Sequence, residues 1–319
     1  MANAWKKESR NPNTLFLLLI LTFSILIFLH LFSSNPTSIT LSTSTAISKH
    51  TASNSFPVAP FDCAESPQTY PVIANIVENL DYPFLYSLPD FGSLPDKPHK
   101  NIVRFLKGKA FRRPDISATV QNLLLPHKGK QNALFVDVGA NVGMATFAAA
   151  AMGFRVMAFE PVLENLQKLC DGIWFNRASE LVSLFESAVS DRNGNLTFHK
   201  LVGRLDNSAV SAAGAKLAFK SNEEIAVDVR AVRLDDMVDD KDDVVLLKID
   251  VQGWEYHVLR GASRLLSRKK GQAPFLIYEE DERLLQASNT SAKQIREFLR
   301  SVGYSQCTVH GSDAHCKKD

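Results

Sequence analysis

Cysteine is scarce and poorly spaced for a metal. The four cysteines among 319 residues, Cys63, Cys170, Cys307 and Cys316, form no C-x-x-C pair, and the eight histidines are scattered, so a structural zinc site has little support. Cys307 and Cys316 could pair in an oxidising compartment, a condition the sequence itself leaves open. An excess of one charge is also missing: 36 Lys and Arg stand against 34 Asp and Glu, and there is no basic stripe of the kind a nucleic-acid binder carries. From Ser33 to about Pro60 large apolar residues are nearly absent, and Ser, Thr, Asn and Pro predominate. Such a stretch cannot bury enough surface to fold, so residues 33–60 read as a disordered stem. The dinucleotide fingerprint G-x-G-x-x-G does not occur at the one glycine loop that follows a strand.

With 45% hydrophobic and 22% charged residues, the chain has material for one sizeable core and an appendage. One apolar run is long, Leu15 to Phe32, broken only by Thr22, Ser24 and His30. About 18 residues at 1.5 Å rise span roughly 27 Å, close to the hydrocarbon thickness of a thin membrane. Lys6, Lys7 and Arg10 precede the run, and no Lys or Arg follows it until Lys49. This asymmetry predicts a cytoplasmic tail at 1–14, a single-pass transmembrane signal anchor at 15–32, and a type II protein whose remainder faces the lumen of the Golgi or endoplasmic reticulum. A cleaved signal peptide is the alternative. Asn195-Leu-Thr197 and Asn289-Thr-Ser291 match the N-glycosylation acceptor pattern, usable only in a lumenal domain.

The centre of the chain is Leu134-Phe-Val-Asp-Val-Gly-Ala-Asn-Val-Gly143. The apolar residues before Gly139 read as a buried strand, Gly139 and Gly143 as a tight turn, and the run from Met144 as a helix. A ligand can lie directly on such a backbone at a helix start. A second strand, Arg155 to Phe159, ends in Glu160, about 20 residues beyond the first glycine, where a carboxylate suits a ribose diol. The glycine that would admit a pyrophosphate is replaced by Asn141, which disfavours a nicotinamide-dependent oxidoreductase. A nucleoside without pyrophosphate fits better, and S-adenosylmethionine is the common one.

Around this unit, residues 61–127 read as a helical cap beside the sheet, with a short helix over Val72–Leu80 and a second over Ile116–Leu125, ordinary packing being the alternative. Residues 128–319 alternate strands and helices. Strands are expected at Leu181–Phe185, Ile225–Val229, Val244–Ile249, Phe275–Tyr278 and about Gln306–His310, with helices at Val162–Asn176, Gly253–Leu266 and Ala292–Val302. Asn193-Gly194 predicts a tight hairpin into Leu196–His199, and Gly203–Ser221 a mobile loop over the site. The pattern is an α/β, open, doubly wound sheet, and Asp250 falls at the carboxyl end of a central strand, on the edge shared with Asp137 and Glu160.

Several ordered motifs then agree with one family. Phe135 to Gly143, Ala158-Phe-Glu-Pro161, Ala188-Val-Ser-Asp191 with Gly194, Leu234-Asp-Asp236, and Leu247-Lys-Ile-Asp-Val-Gln-Gly-Trp-Glu255 with Val258-Leu-Arg-Gly-Ala262 together resemble the FkbM-type methyltransferases over about Ala133 to Gly303. The chain departs from that pattern at Gln252 and Trp254, where the family usually has Glu and Ala. The resemblance implies a class I, Rossmann-like methyltransferase using S-adenosylmethionine. Asp137, Gly139, Ala140, Asn141, Gly143 and Glu160 would hold it, with Ala188 bordering the adenine. The acceptor would be a hydroxyl of a glycan or small metabolite. Asp250 is expected as general base or as ligand of a divalent cation shared with Glu279 and Glu280, the plain alternative being a helix cap. Glu255 is a further catalytic candidate, its plain alternative being a charge favouring the helix dipole. Nucleic acid is not an expected partner, and oligomeric state is not legible. The rival is a catalytically silent lumenal binding module of the same fold.

Overall fold

In the computed structural model, residues 58–66, 72–88, 92–93, 97–98, 100–108, 115–201, 210 and 224–319 are described. They belong to the unit Ser55–Asp319. The expected tail, anchor and stem up to residue 57 lie outside the described residues, as does most of the expected mobile loop. Among the described residues no helix is long and apolar enough to cross a membrane.

The strand Ala74–Val77 (β1) pairs antiparallel with Phe84–Ser87 (β2), followed by the two-residue pair Gly92–Ser93 (β3) and Lys97–Pro98 (β4) and by helices Lys100–Leu106 (α1) and Asp115–Leu124 (α2). The helix expected at Val72–Leu80 is therefore a strand and turn. Its apolar residues at positions 73, 76, 77 and 80 suit either period, and pairing with β2 decides between them. The segment packs into the core of the main sheet. Phe84, Tyr86 and Leu88 share one buried cluster with Val120, Leu124 and the sheet residue Phe135. Polar ties fix the hairpin there: Asn176 accepts from Leu85 N at 2.8 Å and donates to Leu85 O at 2.7 Å, and Ser87 Oγ donates to Asp171 at 2.7 Å.

The main sheet contains Ala133–Val138 (β5), Arg155–Phe159 (β6), Val182–Phe185 (β7), Asp243–Ile249 (β11), Phe275–Glu279 (β12), Gln306–His310 (β13) and Asp313–Lys317 (β14), in the order β13-β14-β12-β11-β5-β6-β7. Only β14 runs against its neighbours. This α/β, Rossmann-like sheet reverses its winding at β5, and ligands of such sheets sit beyond the carboxyl ends of the strands at that switch point. The last strand expected near Gln306–His310 is joined by β14, which inserts between it and β12. Helices Met144–Ala150 (α3) and Leu163–Asn176 (α4), with α2, cover the face bearing Phe135 and Leu246. Helices Glu255–Gly261 (α6), Ser263–Leu266 (α7), Glu282–Ala287 (α8) and Ala292–Ser301 (α9) cover the face bearing Val136 and Leu247. The helix expected over Gly253–Leu266 is thus two helices, broken at Ala262.

A second sheet stands beside the first. The strands Ala188–Val189 (β8), Gly194–Leu201 (β9) and Glu224–Val232 (β10) order as β8-β10-β9 and lead into the short helix Leu234–Met237 (α5). The turn at Asn193-Gly194 does start β9, but the partner of β9 is β10 and not the preceding strand.

All four cysteines are paired. Cys63–Cys170 closes 107 residues and ties the start of the described chain to α4, while Cys307–Cys316 closes 9 residues between paired positions of β13 and β14. Cross-linking removes chain entropy from the unfolded state in proportion to the logarithm of loop length, about 4–5 kcal/mol for the long loop and about 2–3 kcal/mol for the short one. Cys63→Ser is accordingly expected to lower unfolding free energy by roughly 2 kcal/mol more than Cys307→Ser in non-reducing urea denaturation.

Candidate active site

The turn after β5 is shaped by close approach. Gly139 has φ 78°, and a Cβ there would lie 1.9 Å from the backbone oxygen of Asp250, so only glycine lets the ends of β5 and β11 converge. Gly139 N and Ala140 N both donate to Phe159 O at 3.0 Å, which fastens the turn to β6. Gly143, at φ 91°, starts α3, and a Cβ there would meet the Phe147 ring at 2.3 Å.

Side chains two apart on a strand share a face. Asp137 on β5, Lys248 and Asp250 at the end of β11, and Glu160 at the end of β6 all stand on the face covered by α3 and α4, and the strand register sets Lys248 directly beside Asp137. Lys248 Nζ lies 3.1 Å from Asp137 Oδ1 and donates to Gly139 O at 2.8 Å. Asp137 is fully buried, and its Oδ2 accepts from Thr146 Oγ1 at 2.7 Å. Burial alone would lower the Lys248 pKa, but Asp137, Asp250 and Glu160 outweigh it and raise the value, so the ammonium stays charged. The Asp137 oxygens face Lys248 and Thr146, and the residue anchors the turn. Sequence reasoning passed over Lys248, although a lysine inside an apolar run, two residues before Asp250, was the available signal.

Glu160 is 5% exposed. Its Oε2 accepts from Asn141 N at 2.8 Å, and its Oε1 accepts from Val162 N at 3.0 Å and Asn165 Nδ2 at 3.2 Å. Burial pushes its carboxyl up to about 7, against those donors and Lys248, which lower it. A carboxylate offers about four acceptor sites, so roughly one, on Oε2, is left for a ligand. Gly139, Asn141, Glu160, Asn165, Ser187 and Ala188 line a cleft together with Asp250, Gln252 and Trp254. Two acceptors in this lining, Asn141 Oδ1 and Ser187 Oγ, are buried without a hydrogen-bond partner among the described residues. Ser187 was not among the residues expected from the sequence.

Asp250 is exposed at the cleft, and its Oδ1 accepts from Gln252 Nε2 at 2.9 Å. The same amide donates to Glu279 Oε2 at 3.0 Å. Burial and the neighbouring carboxylates of Asp250, Glu255, Asp313 and Asp281 raise the Glu279 pKa far above the ordinary range. Glu280, the other suggested metal ligand, is held by Arg296 at 2.6 and 2.8 Å and by the Tyr278 hydroxyl. Among the described residues no group of three or more His, Cys, Asp or Glu is arranged to hold a metal ion. Glu255 is 1% exposed, does not line the cleft, and accepts from Val251 N at 3.0 Å and Gly253 N at 3.1 Å. It braces the loop that carries Asp250, as its two backbone hydrogen bonds show. Trp254 Nε1 donates to Ser190 Oγ at 3.1 Å, and its ring stacks on His257 with centroids 3.8 Å apart. Asp137, Ala140, Gly143, Glu255 and Glu279 support the cleft from outside its lining.

A family model, the methyltransferase FkbM domain, matches residues 137–305, from Asp137 through Ser305. The chain belongs to the FkbM methyltransferase family. A 2-O-methyltransferase, NoeI, of Sinorhizobium fredii (strain NBRC 101917 / NGR234) is 25% identical to this FkbM methyltransferase over 214 residues, 60% of this chain and 82% of that protein. Among solved structures, a precorrin-6y C5,15-methyltransferase from Geobacter metallireducens GS-15 is 15% identical with TM-score 0.36, covering 66% of this chain and 90% of that one. A methyltransferase from Geobacter sulfurreducens is 14% identical with TM-score 0.33, covering 72% and 100%. The fold of this family member is read from its own strand order.

Removing one partner of a buried ion pair leaves the other uncompensated, at about 3–5 kcal/mol. Lys248→Met is expected to lose stability on that scale in urea denaturation, while the double variant Asp137→Asn with Lys248→Met recovers most of it. A loss under about 1 kcal/mol in the single variant would remove the pair from its organising role.

Burial pushes the Glu255 carboxyl from 4.5 up to about 7, against the backbone donors that lower it. A raised folded pKa means that the native chain holds this proton more tightly. The stabilisation is complete below about pH 4.5 and is lost as pH climbs through about 7. Glu255→Gln keeps an acceptor for Val251 and Gly253 but cannot titrate, so its melting temperature should fall less steeply than that of the unchanged chain between about pH 5 and 8. Equal slopes would contradict this placement of the proton.

Proposed function

We propose that this chain is an S-adenosylmethionine-dependent O-methyltransferase acting on a hydroxyl of a glycan or small metabolite. In this reading it is anchored by residues 15–32 in a Golgi or endoplasmic reticulum membrane, with the catalytic domain in the lumen. The observation that carries the enzymatic part is the pair of buried acceptors without a partner among the described residues, Asn141 Oδ1 and Ser187 Oγ, in the cleft that Gly139 and Glu160 also line. Buried polar atoms without partners are rare, and these await donors. An ammonium, an exocyclic amine and ribose hydroxyls are donors, so the lining fits the group. Asn141 would hold its amino-acid part, the remaining site on Glu160 Oε2 a ribose hydroxyl, and Ser187 with Ala188 the adenine.

When bound, S-adenosylmethionine supplies a methyl group on a positively charged sulfur that leaves with the S–C electron pair as the acceptor oxygen forms its bond to carbon and releases its proton. Alignment and proton removal are what the protein contributes. Asp250 is exposed at the cleft and oriented by Gln252, which suits it to take that proton. We favour it as base over the divalent-cation alternative because Glu280 is committed to Arg296 and Tyr278. The two departures from the family pattern both have work here, Gln252 steadying Asp250 and Trp254 walling the cleft, which favours an enzyme over a silent module. The similarity to a 2-O-methyltransferase supports an oxygen acceptor. Two disulfides support an oxidising compartment, and exposed Asn195 on β9 leaves its glycosylation triplet usable there.

Calorimetric titration of the full chain with S-adenosylmethionine, followed by labelled-methyl transfer across extracted polysaccharides and small hydroxyl metabolites, tests the reading. Asp250→Asn should keep melting temperature and cofactor affinity but lose about 100- to 10,000-fold in turnover. Retained turnover would take the base role from Asp250, and absent cofactor binding would overturn the proposal.

A further inference from the structure

Behind Trp254 lies a second cavity of about 470 Å³, a size typical of small-molecule sites. Trp254 lines both this cavity and the cleft, so the two share one wall. The other side chains that matter are Tyr256 and His257 from α6, Ser288 and Asn289 from the turn after α8, and Gln294 from α9. His257 is held in place by its stack on Trp254 and by Asp191 Oδ2, 3.2 Å from its Nδ1. Tyr256 is braced edge-on against Phe298, with centroids 6.4 Å apart. Ser288 is only 7% exposed, and its Oγ has no hydrogen-bond partner among the described residues.

The chemistry of this lining is narrow. It contains aromatic rings, two carboxamides and hydroxyls, and no Asp, Glu, Lys or Arg. A phosphate, a nucleotide or a charged peptide would find no counter-charge. A neutral sugar ring presents flat C–H faces that pack on aromatic rings and hydroxyls that both donate and accept, which is what carboxamides and a lone serine hydroxyl can satisfy. Resting on the glycan branch of the proposed function, we propose that this cavity is a saccharide subsite. It takes one neutral ring of an oligosaccharide acceptor while a neighbouring ring of the same chain presents its hydroxyl to the cleft. The alanine usual in the family at position 254 would leave that shared wall without its indole. The acceptor is then a chain of at least two sugar rings and not a single small metabolite.

The test uses the full chain in detergent, produced in a host that does not N-glycosylate, since Asn289 heads an acceptor triplet at the cavity rim. Fluorescently labelled protein is applied to an array of defined neutral and acidic oligosaccharides of two to six residues, and the best neutral binder is titrated against the double variant Asn289→Gly with Gln294→Ala, glycine being chosen because Asn289 has φ 56°. Both positions are exposed, so the variant should fold, and circular dichroism checks that it does. The expected result is a neutral oligosaccharide bound by the unchanged chain and roughly tenfold more weakly by the variant, with a monosaccharide bound poorly by both. Equal affinity in the two proteins, binding confined to acidic glycans, or no binding at all overturns the subsite. A cofactor titration on the same samples reports separately on the proposed function: cofactor binding without saccharide binding defeats only the subsite, and saccharide binding without cofactor binding defeats only the transferase reading.

Discussion

The buried ion pair between Lys248 and Asp137 is the constraint on which the site depends. An ammonium in the middle of a parallel sheet is costly unless it is paired and hydrogen-bonded, and Lys248 meets both conditions by facing Asp137 and donating to the carbonyl of Gly139. One cation therefore ties together three things that must not drift apart: the end of β11, the end of β5 and the first residue of the turn. The same charge sits among Asp250 and Glu160, which gives a cluster of carboxylates a common counter-ion. Without it, acids gathered at neighbouring strand ends would repel one another inside a poorly solvated pocket.

Two glutamates then set the walls of the cleft by the same device. Glu160 accepts from the backbone of Asn141 and Val162, joining the glycine turn to the end of β6. Glu255 accepts from the backbone of Val251 and Gly253, bracing the loop after β11. Each is nearly fully buried, so each hydrogen bond is made where water does not compete. With the backbone satisfied in this way, the polar atoms left over, Asn141 Oδ1 and Ser187 Oγ, stand out as places for a ligand. Gln252 bridges Asp250 and Glu279 by donating both protons of its amide, which the single O–H of a protonated glutamate could not do.

Much of this was legible in the chain. The run into Gly139, the second strand ending in Glu160 and the central strand ending in Asp250 follow from apolar runs and turn residues, and their strands do lie side by side. What was not legible depends on distant partners. Val72–Leu80 has an apolar spacing compatible with a helix, and only its pairing with β2 makes it a strand. The partner of β9 lies beyond a long connection, so the local turn at Asn193-Gly194 suggested the wrong neighbour. Cys63–Cys170 spans 107 residues and carries no spacing signal. A buried carboxylate that serves backbone N–H groups, as Glu160 and Glu255 do, looks in sequence the same as one that serves a ligand alone. Lys248 was visible as an anomaly in an apolar strand, and the register that turns it into a partner of Asp137 was not.

A crystal structure of the full chain with S-adenosylhomocysteine tests the site most directly. The nucleoside should lie in the cleft, with hydrogen bonds to Asn141 Oδ1, Glu160 Oε2 and Ser187 Oγ and with the Lys248–Asp137 pair intact behind them. A nucleoside bound elsewhere, or one that leaves Asn141 Oδ1 and Ser187 Oγ without partners, would contradict this placement.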